Sequence, residues 1–123
     1  MGGLRTAVLL VSVLFSSAVR GAVPDKYSDA VAALKSGDAA AAMQQLTELV
    51  EAGSRDPRVY YFRGIAAASL NQSPDADFKK GAALEAAAGS SRTVNAALES
   101  VQGDLRRKLE QFRAQGKAAA NPN

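Results

Sequence analysis

Cysteine, histidine and tryptophan are absent from the 123-residue chain. Without cysteine there is no disulfide and no thiol nucleophile; without cysteine and histidine together there is no Cys/His zinc site. No imidazole can serve as a general base near neutral pH. No glycine-rich phosphate loop, nucleophile elbow or metal-ligand spacing stands in their place. Acidic pairs offer no substitute. Asp75 and Asp77 are two apart, so on a helix they face different ways, whereas Glu48 and Glu51 share a face but have no cationic cluster or apolar pocket near them in the sequence. The expectation is a protein with no enzymatic activity, no cofactor and no metal.

An excess of one charge sign is also missing. The chain has 15 basic and 12 acidic residues. Arg5 and Arg20 lie in a segment expected to be removed, and 15 less these two leaves 13 basic residues against 12 acidic. A nearly neutral domain gives no reason to expect nucleic acid as a partner. The removed segment is read from Ala7–Val19 (AVLLVSVLFSSAV), an uncharged run of about thirteen residues behind Arg5. A bilayer-spanning helix needs about 20 apolar residues, so this run fits the core of a secretory signal peptide better than an anchor. Small residues follow it, with cleavage after Gly21 or after Ala18 both compatible with the narrow subsites of signal peptidase. The expectation is residues 1–21 as signal peptide, export to the periplasm or the medium, a folded domain over 22–113 and a flexible tail over 114–123.

Strand-like alternation is lacking beyond Val23, while alanine, a strong helix former, supplies 26 residues. Turn signals divide the chain into short helices. Pro24 opens the first, with Tyr27, Val31 and Leu34 on one face, and Gly37-Asp38 ends it and caps the next. A second helix is expected over 39–52, stopping at Gly53. Asp56-Pro57 is a cap followed by proline at the first helical position, predicting a third helix over 57–70. Ser73-Pro74 repeats the device for a fourth over 74–88, stopped by Gly89, and Ser90-Ser91 can cap a fifth. Val94, Leu98, Val101, Leu105, Leu109 and Phe112 then form a helical seam, with Gly103-Asp104 favouring a break in its middle. The apolar face ends near Gln115.

Residues 56–85, DPRVYYFRGIAAASLNQSPDADFKKGAALE, resemble a tetratricopeptide (TPR) repeat. Tyr60 stands at the first large aromatic position of the repeat and Gly64 at its small crossing position; Ala67-Ala68 and Leu70 continue the first helix, and Phe78 with Gly81 matches the large-then-small pair of the second. The turn is about two residues shorter than the family's, the early alanine of the second helix falls near Pro74, and Gly81 replaces another alanine. Residues 25–57 are similar to a degenerate copy. The resemblance implies an all-α fold of two antiparallel helical hairpins plus a C-terminal capping helix, with stacking of hairpins burying what one alone cannot.

Two surfaces follow as candidates. In the arrangement that the resemblance implies, Arg58, Tyr61 and Ile65 turn toward a concave groove that holds a protein or peptide; the alternative is that Tyr61 and Phe62 simply fill the core. The second surface is the basic amphipathic helix Asp104–Arg113, whose Arg106, Arg107, Lys108 and Arg113 could meet an anionic membrane or envelope surface, or simply face solvent. The reading from sequence is therefore a non-catalytic exported adaptor or scaffold. A peripheral surface binder and a self-stacking structural subunit are the alternatives.

Overall fold

Side-chain caps set where the helices begin. In the computed structural model, which describes residues 25–121, Asp25 accepts from the Tyr27 amide at 3.0 Å and opens α1 (Lys26–Lys35). Asp38 does the same for Ala41 at 3.0 Å ahead of α2 (Ala39–Glu51). Asp56 accepts from the Arg58 amide at 3.0 Å ahead of α3 (Pro57–Ser69), with proline at the first turn as expected. The signal-peptide reading and Pro24 lie outside the described residues.

α3 ends one residue early, because Asn71 takes a left-handed conformation (φ 61) and Gln72 then donates back to the Ala67 carbonyl at 2.8 Å. Asparagine tolerates that region better than other non-glycine residues. α4 (Asp75–Ala88) is preceded by Ser73, whose hydroxyl accepts from the Asp75 amide at 3.3 Å. α5 (Ser91–Ala97) is short. Its start departs from expectation: Ser90 occupies the cap position without a cap hydrogen bond, and Ser91 donates instead to Glu85.

The break foreseen near Gly103 is present. Gly103 sits at φ 85, a region side chains rarely adopt, and α6 (Asp104–Ala120) starts beside it. Arg106 staples the break closed by donating to the carbonyls of Leu98 at 2.5 Å and Val101 at 3.0 Å. The expected flexible tail is corrected at its near end: α6 runs on through Ala120, five residues past Gln115. Its late turns are held by close packing rather than by large apolar side chains, since a Cβ at Gly116 would lie 2.9 Å from the Ala82 backbone oxygen.

All described residues are helical or in turns, with no strand among them. Each helix packs on the next from α1 to α4, and α4 then packs on α6. Contacts give the directions. Lys108 meets Asp75, Phe112 meets Phe78, and Gly116 meets Ala82, so α6 runs parallel to α4. The C-terminal part is therefore not one capping helix. The short α5 crosses back and α6 returns alongside α4.

Buried Leu46, Tyr61, Phe78, Val94, Leu98 and Leu109 form the centre of the core. The α3–α4 crossing is a reciprocal fit of rings over glycines: the Phe78 ring lies over Gly64 and the Tyr61 ring over Gly81. A Cβ at Gly64 would stand 2.6 and 2.7 Å from Phe78 ring carbons and 3.3 Å from the Pro74 carbonyl. Gly→Ala inside a helix ordinarily gains about 1 kcal/mol. Here Gly64→Ala is expected to lose about 1–3 kcal/mol through overpacking, measured as a lower urea midpoint. Adding Phe78→Leu should relieve part of that loss.

Candidate functional site

α1 and α3 lie side by side in parallel, with the Tyr27 and Phe62 rings edge to face at 5.8 Å. Between them is an apolar cleft of about 240 Å³. Val31 and Leu34 line it from α1, Phe62 and Ile65 from α3, and Val101 from the segment before α6; Lys35 and Ser69 stand at its polar edge. Phe62 is buried while Val31, Leu34, Ile65 and Val101 are only partly so, which leaves apolar surface open to a partner.

The three groove candidates separate. Ile65 lines the cleft, half-buried. Arg58 shares its face of α3 but is already engaged: it donates to Asp56 at 2.6 Å and stacks over the Tyr27 ring at 4.3 Å. Tyr61 does not reach the cleft at all. It is fully buried on the neighbouring side of α3 that faces α4, against Gly81, and its hydroxyl donates to Glu85 Oε1 at 2.7 Å. The glycine on α4 opens the slot that draws the ring inward, so the core alternative holds for Tyr61. Phe62, set aside with Tyr61 as core, is the aromatic that reaches the cleft wall.

The basic surface is likewise reduced. Arg113 is 4% exposed and belongs to the core. It donates to Glu85 at 2.6 and 2.9 Å, to Asn95 at 2.8 Å and to Glu110 at 2.8 Å. Arg106 is half-buried on its two carbonyls and on Glu110 at 2.8 Å. Arg107 and Lys108 remain at the surface, paired with Asp104 and, at 2.8 Å, with Asp75.

Glu85 is the residue that sequence reasoning passed over. It is 1% exposed and receives hydrogen bonds from Tyr61, Ser91 and Arg113, so one carboxylate ties together α3, α4, α5 and α6. Burial alone would raise its pKa. The donors of Arg113, Tyr61 and Ser91 outweigh that and hold it below the usual carboxylate range. Burial and the bond to Glu85 push the Tyr61 phenol far up, and the same carboxylate keeps Arg113 protonated. The signal was present in the spacing, since Phe78, Ala82 and Glu85 share one helical face.

This network acts as a clamp, its carboxylate, phenol and guanidinium bonded to one another inside the core. Among the described residues no group of three metal-ligating side chains occurs, and no helix is long and apolar enough to cross a membrane. No protein-family model, characterised protein or solved structure matches the chain.

Proposed function

We propose that this chain is a non-catalytic, exported, TPR-like interaction module that holds an apolar side chain of a partner protein or peptide in the cleft between α1 and α3. The observation that carries the reading is the cleft itself, an open apolar depression flanked by two parallel helices that each begin a helical hairpin. Supporting it are the helix starts at Lys26, Pro57 and Ser91, 31 and 34 positions apart, close to the 34-residue period of TPR repeats. The glycine-against-ring fit of α3 on α4 supplies the close approach such hairpins use. Export rests on the Ala7–Val19 run and the small residues behind it. The cleft is preferred to the basic helix as the functional surface because Arg113 and Arg106 are committed to internal bonds.

Selection of peptides from a random library on the immobilised protein tests the reading. The recovered peptides are expected to share one or two apolar anchors. Ile65→Glu should weaken them about tenfold or more, the effect of losing a central apolar contact, with helicity unchanged. Arg107→Glu should leave them untouched. Peptides that bind the Ile65→Glu protein equally well would remove the cleft from the proposal.

A further inference from the structure

A second groove, unrelated to the cleft, runs between the parallel helices α4 and α6. It holds about 480 Å³, within the range of small-molecule sites. Its walls are Ala83, Ala86 and Ala87 from α4 and Phe112, Gly116 and Ala119 from α6. No carboxylate lines it. The one charged group on its rim is Lys79.

Lys79 forms no ion pair among the described residues, and the fold explains why. On a helix its natural partner is Asp75, four residues earlier. Asp75 instead receives Lys108 from α6 at 2.8 Å. Packing α6 against α4 thus diverts the carboxylate and leaves an ammonium at one end of an apolar trough. We propose that this groove binds a medium-chain fatty acid, with the acyl chain along the alanines and the carboxylate at Lys79.

The dimensions agree. From Lys79 to Ala87 the trough follows about 12 Å of helix, at 1.5 Å per residue, the reach of a medium-length acyl chain. Alanine walls leave a smooth channel with no deep pocket for a branched or aromatic anchor. On its two flanks Lys80 of α4 and Gln111 of α6 are exposed, so the apolar strip is bordered by polar side chains. A stable protein contact needs about 800 Å² from each partner, which such a strip does not offer.

The test is a titration of the full chain with dodecanoate below its aggregation concentration, followed by NMR of the alanine methyls. Saturable shifts are expected at Ala83, Ala86 and Ala119. Decanoate should bind about fourfold more weakly, about twofold per methylene, because the open side of the groove leaves each only half buried. Lys79→Glu, at an exposed position, should weaken dodecanoate about fivefold and strengthen dodecyltrimethylammonium. Ala86→Leu should fill the trough and abolish the shifts while helicity is retained. Several results would overturn the proposal: no saturable shift at these methyls, no change of head-group preference in Lys79→Glu, or groove shifts produced only by anionic phospholipid vesicles or only by an amphipathic helical peptide.

Discussion

Arg113→Ala is expected to destabilise the protein by about 3–5 kcal/mol, because it strands the buried Glu85 carboxylate without its cation. A domain of this size has only about 5–15 kcal/mol in total. The urea midpoint is the measurement. Replacing both partners by apolar residues, Glu85→Leu with Arg113→Met, should recover most of the loss, since what is costly is the unpaired charge rather than the missing pair. The pH dependence separates the cases further. In the wild type Glu85 titrates below its unfolded value, so its contribution is present above about pH 4 and is lost as pH falls through the lower folded pKa. In Arg113→Ala the strongest donor is gone and burial raises the pKa. The folded state then binds the proton more tightly than the unfolded chain, and stability should fall as pH rises through neutrality. A urea midpoint that does not fall below about pH 4 in the wild type, or one that does not fall as pH rises above about 4 in Arg113→Ala, would contradict this assignment.

Tyr61→Ala is expected to lose about 3–5 kcal/mol, the range for removing a large buried aromatic, and to unfold much of the population at moderate temperature. Tyr61 is fully buried, packs its ring over Gly81 and lies 6.4 Å from the Phe78 ring. Tyr61→Phe keeps the ring and removes one of the donors to Glu85, with an expected loss of about 1–2 kcal/mol. Thermal melts followed by circular dichroism distinguish the two. A Tyr61→Ala protein with an unchanged melt would mean that the ring does not sit in the α3–α4 crossing. The same fact makes Tyr61→Ala unsuitable as a binding control and Ile65→Glu the better choice.

Helix positions were legible because their signals are local. Asp38, Asp56 and Ser73 each mark a start within a residue or two of the helix they precede, and Gly103 marks the break by its own backbone preference. Ile65 was also legible as a surface apolar residue on the cleft side of α3. Tyr61 was not, since choosing between Tyr61 and Phe62 for the cleft depends on the rotation of α3. That rotation is set by Gly81, twenty residues away on another helix. Arg113 was misplaced for a related reason. A lone arginine after a basic run reads as solvated until its partner is known, and Glu85 lies 28 residues earlier.

By itself, then, the sequence determined the all-helical character of the described residues, their caps and stops and the small residues at their crossings. Each of these follows from interactions within one or two helical turns. Tertiary structure alone decided that α6 returns parallel to α4, that Glu85 and Arg113 meet in the core, and that Lys79 is left without Asp75. Those outcomes depend on which helix faces lie together. Side chains distant along the chain and fixed by packing made that choice, and local propensity carries no information about it.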